Sequence, residues 1–540
     1  MQAMRASGWV ALALCIALVA LSHLPSVTAL RFRSRDRHAR QTPANTTSPA
    51  VSNGVTAPSK LPAPHVLVNQ GSLDDTSFST ITPTRPQPVV GKPKPKLQQR
   101  YWPPVLKAKG DRREYRRFVL PNGLDVLLVR DGRTARAAAS MDVGIGSNGD
   151  PPGLNNLAHF LEHMLFMGSK RFPKWNAFEA YIPGSWENAY TSADNTNYYF
   201  DLYARSLKRG LQIFADVFTN PLFSIDAISK EVNAVDAEHH KGEKSDPRRY
   251  WQLLKHLTND DHPNHKGAYQ SLKRLAPTQL RTEVQRFFKQ HYRTENMRLA
   301  VVAPHSLALL EKWVRRLFAG LPQRPHAAPF VPDPFPAIDN HENMYSQIRN
   351  GTDRAAIVRY QPIRFSRQLS VVFSLPPQTQ DYEFKSIQFI ESLLSQEGPG
   401  SLQSVLKRRG LGTYVDAFHD SHVGFDLLRV CVSLTGKALE GDNVREVVSL
   451  IMQYIRLVQT KGIQRWRWRE LGTIAAIRFR LRPKERSRKL ASSTARDMRL
   501  FKREHVVAGR QLFFKFDETK IEGTPLLLCC LLYTSDAADE

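Results

Sequence analysis

Cysteine is scarce in this chain, with four in 540 residues, too few for the disulfide-dense scaffold of a small secreted domain. Acidic residues also run short: 50 Asp+Glu stand against 76 Lys+Arg, a formal net charge of +26. An excess of that size first suggests an acidic partner, whether nucleic acid, an anionic membrane surface or acidic peptides. Beyond the N-terminal region no apolar run is long enough to span a bilayer, and the absence of a short-period repeat excludes a solenoid. What the chain does have is 41% hydrophobic and 9% aromatic residues. Those values exclude disorder throughout, and the length allows two to four domains at roughly 100–200 residues each.

The two ends do not read as fold. Arg5, an apolar run from Trp9 to Leu21, Pro25 and the triplet Val27-Thr28-Ala29 form a secretory signal over residues 1–29, cleaved after Ala29. The expected location is therefore secreted or within a secretory-pathway lumen, with Asn45 and Asn350 heading glycosylation sequons. Residues 30–110 are rich in Pro, Ser, Thr and basic residues with no apolar period, which predicts a disordered leader or propeptide. Its stretch from Arg31 to Lys109 carries 13 Lys+Arg against 3 Asp. At the other end, Cys530 to Glu540 back-translates into a transposase-type sequencing adapter, so residues 530–540 are expected to be an artefact and the natural frame to continue past about Leu528.

Between residues 111 and 320, Arg117–Leu120 and Leu124–Val129 read as strands joined by the turn Pro121-Asn122-Gly123. A further strand is expected at Ala135–Gly144 and another at Tyr198–Tyr203, with helices at Leu154–Phe166, Ser206–Phe218 and Ser229–His240. A similar order returns in residues 346–528, after a Pro-rich linker at 321–345: a strand at Leu369–Leu375, helices at Glu383–Leu394 and Gly398–Arg409, then strands at Thr413–His419 and Asp426–Leu434. The expected fold class is α+β, built from two related α/β sandwich domains.

The chemistry concentrates in His159-Phe160-Leu161-Glu162-His163. Two imidazoles at i and i+4 share one helical face and can bind Zn²⁺, and the adjacent carboxylate can take a proton from the bound water. A third ligand is required, and Glu238 on a later predicted helix is the candidate, with Glu231 two turns earlier on the same face. Phe160, Leu161, Met164, Leu165 and Phe166 enclose the polar residues, as a buried metal helix requires. The second unit has no equivalent motif; His419 and His422 are expected to face solvent there. In Arg465 to Arg503, 14 Lys+Arg stand against 3 Asp+Glu, and aromatics interleave at the start. Such interleaving can bind single-stranded nucleic acid, but Trp466, Ile474 and Ile477 lie near helical spacing and are expected to be core residues of a basic helix.

The order His-x-x-Glu-His is that of the inverted zincins. Together with Asn188-Ala189-Tyr190-Thr191, Thr196-Asn197-Tyr198-Tyr199-Phe200-Asp201, Glu231 to His239 and Glu397-Gly398-Pro399-Gly400-Ser401-Leu402, it resembles the insulysin/pitrilysin family of metallopeptidases from about Arg112 to Phe516. The resemblance implies His159, His163 and Glu238 as ligands of one Zn²⁺, Glu162 as general base and Glu231 as a carboxylate behind the ligands. It implies that Asn188 and Ala189 hold the substrate backbone by strand addition. It further implies a zinc metalloendopeptidase acting on peptides or small proteins, and the secretory signal argues against a nucleic-acid partner. The two domains are then the first half of a four-domain chamber, and the missing C-terminal half is required. Gly184-Ser185-Trp186-Glu187 departs from the small-residue turn usual in the family, so specificity is not carried over. Two other readings stand beside this one: a noncatalytic peptide-binding or processing-complex subunit on the same fold, and a basic surface-binding protein. Clean genomic reads across the locus are expected to run on past Leu528, and a stop codon directly after Glu540 would overturn that expectation.

Overall fold

A computed structural model describes residues 104–323, apart from 261, 263 and 266–268, and residues 358–523, apart from 365 and 522. The signal, most of the leader, both sequons, nearly all of the linker and the adapter-like tail lie outside the described residues.

Strands β1 (Glu114–Val119) and β2 (Asp125–Arg130) form an antiparallel hairpin. Gly123 takes φ +90° in its turn, a backbone region that penalises a Cβ. Asn122 anchors the same turn by donating from Nδ2 to the Phe318 carbonyl at 2.8 Å. With β3 (Arg136–Val143), β4 (Trp186–Thr191), β5 (Thr196–Tyr203) and β6 (Met297–Ala303) these strands make a six-stranded sheet of order β1-β2-β6-β3-β5-β4. β6 arrives from far downstream, parallel to β2 and antiparallel to β3. Both central strands are buried on either face, through Ala137, Ala138, Ala139 and Met141 in β3 and Leu299 to Val302 in β6. Their inner residues are accordingly apolar in succession, Ala137 to Ala139 and Leu299 to Val302, rather than alternating.

One face of the sheet is covered by α1 (Leu157–Leu165), α3 (Leu207–Thr219), α6 (Pro277–His291) and α7 (Leu307–Leu317). Leu157, Phe160, Leu211, Phe218, Val284 and Leu310 pack there against Val126, Leu128, Ala139 and Met141. The short α2 (Ala177–Tyr181) and the longer α4 (Ile225–Gly242) and α5 (Asp246–Leu257) complete this unit. The second unit has an antiparallel sheet of order β7-β9-β8, from β7 (Gln368–Leu375), β8 (Gly412–Ser421) and β9 (Asp426–Leu434). Its core joins these to α8 (Ser386–Leu394), α9 (Leu402–Arg409) and α10 (Asn443–Lys461) through Phe389, Ile390, Leu406, Val430, Val447 and Ile451. Among the described residues no helix is long and apolar enough to cross a membrane.

Three expectations from the sequence need correction. In α11 (Arg465–Arg480), Trp466, Ile474 and Ile477 are exposed rather than core, Trp466 by 59%. Trp468 and Leu471 carry the packed side instead, Trp468 lying against Phe513 and Phe516. Both faces of this helix hold apolar residues, so their spacing alone cannot say which one is turned inward. Next, α12 (Ser487–Leu500) falls in the stretch assigned to the second unit, yet it covers the other face of the first sheet. Leu490, Ala491 and Met498 pack on Leu127, Val129, Ala138 and Val302, Ser492 Oγ donates to Asn197 Oδ1 at 2.9 Å, and Arg499 pairs with Asp142 at 3.3 Å. Finally, His419 and His422 do not face solvent: His419 lies 2.7 Å from the buried Asp426, and His422 lies 3.4 Å from Asp194 of the first unit.

Leu490→Ala should cost about 2–5 kcal/mol by opening a cavity between α12 and the sheet, whereas Trp466→Ala should stay within about 1 kcal/mol because little of its ring is desolvated. Denaturant midpoints of the two variants check the contrast.

Candidate metal centre

The site helix α1 begins sharply. Asn156 precedes it at φ +80°, and the carboxylate of Asp150 accepts from the backbone N–H groups of Asn156 and Ala158, both at 2.7 Å. A carboxylate in that place satisfies the unpaired donors of the first turn and complements the positive end of the helix. Phe160, Leu161, Met164 and Leu165 are buried in the core, which fixes the rotation of the helix and turns His159 and His163 to the opposite side. Their rings stand 4.9 Å apart, nearly perpendicular.

α4, capped by Ser224 Oγ accepting from Ala227 N–H, packs beside α1. It brings Glu238 Oε2 to 3.7 Å from Nε2 of both His159 and His163, and one ligand atom from each of the three residues lies within 4.8 Å of the others. Glu231, two turns back, places Oε2 3.0 Å from His163 Nδ1. With the proton on Nδ1, that hydrogen bond leaves the Nε2 lone pair pointing toward Glu238. The donor set fits zinc. Tetrahedral Zn²⁺ holds nitrogen and oxygen ligands at about 2.0–2.2 Å, so ligand atoms stand roughly 3.3–3.5 Å apart, a small side-chain movement from the observed spacing. Arg248 lies 3.7 Å from the other Glu238 oxygen, leaving Oε2 to the histidines.

Glu162 is on the buried side of the cluster, 6% exposed. Burial raises its carboxyl pKa to about 7, against a hydrogen bond in which Thr191 Oγ1 donates to Oε2 at 2.6 Å. A carboxyl poised near neutrality is suited to receive and return a proton. His159 is lowered to about 4 by burial and by the neighbouring His163, which keeps it neutral and able to coordinate. Burial also acts to lower His163, but the hydrogen bond to Glu231 and the surrounding carboxylates outweigh it and raise its pKa.

Asn188 and Ala189 lie on β4, which among the described residues pairs with β5 alone and forms the edge of the sheet; Asn188 is exposed and Ala189 buried in the core. The structure thus gathers His159, Glu162, His163, Glu231 and Glu238 at one place, with Asn188 and Ala189 on the strand that runs past it. Sequence reasoning gave no role to Thr191, Asp150 or Arg248. Only Asp150 left a signal, as an acidic residue just ahead of a predicted helix start.

Comparison with known proteins identifies the family. The model of the insulinase peptidase family M16 matches residues 125–264, and that of the M16 inactive domain matches residues 280–471. Insulin-degrading enzyme-like 2 of Arabidopsis thaliana is 34% identical over 77% of this chain and 43% of its own length. Human insulin-degrading enzyme is 33% identical over 77% of this chain and 40% of its own, and the A-factor-processing enzyme of Saccharomyces cerevisiae 33% over 70% and 36%. This chain therefore spans about two fifths of the length of the curated relatives it matches. Among solved structures, pitrilysin superposes with a TM-score of 0.69 at 25% identity, covering 79% of this chain and 45% of that one. A Helicobacter pylori protease shares the fold at a TM-score of 0.60 and 17% identity, covering 76% of this chain and 96% of its own. With two models of one family matched in succession over more than half of its residues, and with the pitrilysin fold around the paired histidines, this chain belongs to the insulysin/pitrilysin, or M16, family of peptidases.

Proposed function

We propose that this protein is a zinc-dependent metalloendopeptidase acting on peptides or small proteins. The observation that carries the reading is the convergence of His159, His163 and Glu238 beside a buried, nearly neutral Glu162. Zinc, when bound, polarises the scissile carbonyl and makes the attacking water more acidic. The remaining work belongs to the chain. An extended peptide adds to the free edge of β4, where the backbone at Asn188 and Ala189 sets its register and lays the scissile amide over α1. Glu162 receives the proton of the attacking water and passes it to the leaving amine. Thr191 holds one oxygen of Glu162 still while the other is left to accept. Glu231 fixes the ring of His163.

The family's four-domain chamber and the span of about two fifths of the relatives' length favour a requirement for further chain beyond these two units. The proposed location is secreted or in a secretory-pathway lumen, supported by the signal pattern of residues 1–29.

Glu162→Gln should keep its zinc and lose about 10²–10⁴-fold in turnover, the contribution of a positioned general base. Zinc content and fluorogenic-peptide cleavage measured on the same sample decide the matter: undiminished cleavage would refute the base, and absence of bound zinc in the parent would favour a noncatalytic subunit. Glu231→Gln should weaken zinc roughly 10–100-fold in a chelator titration by freeing the His163 ring; unchanged affinity would reduce Glu231 to a surface contact.

A further inference from the structure

β4 is the free edge of the sheet and runs directly past the base, since Thr191 is both its last residue and the donor to Glu162. Side chains alternate along a strand, so Glu187, Ala189 and Thr191 share one face. That face is turned toward α1: Ala189 belongs to the core beneath the helices, and Glu187 stands opposite Phe200, a residue of the same core. Trp186 and Tyr190 turn the other way, toward Tyr199, and Arg488 sits 3.9 Å over the Trp186 ring. Arg488 is thus engaged on the opposite face, and Arg136, which donates to the Gly184 carbonyl, is paired with Asp201 at 2.6 Å.

Glu187 itself is left without a counterpart. Among the described residues no hydrogen bond or ion pair reaches its carboxyl, and burial alone pushes its pKa up to about 8. Glu187 is half-buried, and a carboxylate partly shielded from water is stabilised when a charge or donor meets it. Phe200, across the ladder, stacks against Phe178 at 4.8 Å between centroids and offers neither. On the side of Glu187 away from Phe200 the strand is the open edge of the sheet among the described residues, where an added strand would put a residue directly opposite with Cβ atoms roughly 4.5–5.5 Å away.

We propose that Glu187 forms a subsite for a cationic side chain, Lys or Arg, of a peptide added along β4. At roughly 3.3 Å per residue, Glu187 stands about 13 Å before Thr191, so the recognised residue lies a few positions to one side of the scissile bond. This rests on the peptidase reading above and adds to it a substrate class, peptides with a basic residue near the cleaved bond. It also gives a role to the stretch Gly184 to Glu187, where the chain departs from the small-residue turn of its family.

The test is binding rather than turnover, so it does not depend on catalytic competence. Fluorescent decapeptides, identical except for Lys, norleucine or Glu moved through successive positions, are titrated into the zinc-loaded full chain carrying Glu162→Gln. At one position the Lys peptide should bind at least about tenfold more tightly than its Glu counterpart, because like charges juxtaposed in a desolvated site repel and opposite ones attract. Adding Glu187→Gln should collapse that ratio to under about twofold, and adding Glu187→Lys should invert it; thermal melts establish that both variants are folded. Equal affinities in the Glu162→Gln parent, or a Lys preference that survives Glu187→Gln, would overturn the subsite while leaving the peptidase reading intact. If not even the norleucine peptides bind, the strand-addition reading itself fails, and this inference with it.

Discussion

The structure depends on covering both faces of its central strands. β3 and β6 are apolar on either side, so the sheet they anchor cannot leave one face to water. On one face the need is met by α1, α3, α6 and α7, and the rotation that buries Phe160 and Leu161 is what turns His159 and His163 to the front. On the other face it is met by α12, brought from the far end of the described chain. Metal site and domain arrangement thus follow from one requirement, the burial of a two-sided sheet.

Within the site, helix packing decides the electrostatics. α1 and α4 lie close enough for Glu238 to reach both imidazoles and for Glu231 to hold His163 from behind. Glu162 lies on the buried side of the same cluster, where Thr191 Oγ1 donates a hydrogen bond to its carboxylate. Burial outweighs that bond, and the carboxyl is held near neutrality. Thr191 is also the last residue of the edge strand β4, so Glu162 and the edge of the sheet are joined through a single hydroxyl.

Much of the positive charge falls in two stretches of the chain, residues 31–109 and 465–503. Ten net charges belong to the leader, eight of them before the first described residue. Several cations of the other basic stretch are spent on holding the two units together or pinning their ends: Lys484 pairs with Asp131 at 2.9 Å, Arg499 with Asp142 at 3.3 Å and Lys502 with Glu383 at 2.7 Å. Part of the excess that first pointed to nucleic acid is thus engaged in ion pairs between segments far apart in the chain.

Local pattern determined much of this protein. The 3.6-residue period fixed α1 and α4 and put the paired histidines on one face. The Pro-Asn-Gly turn fixed the β1–β2 hairpin, and the order of the motifs carried the family. These features depend on neighbours in sequence, which is why they could be read there. Tertiary structure alone decided the rest. Which face of α11 is buried, that α12 crosses to the first sheet, that His419 and His422 are tied to carboxylates, and that Thr191 touches Glu162 all depend on residues far apart in the chain. Periodicity specifies that a face is apolar but not what will cover it; that choice is made only when the whole surface is packed.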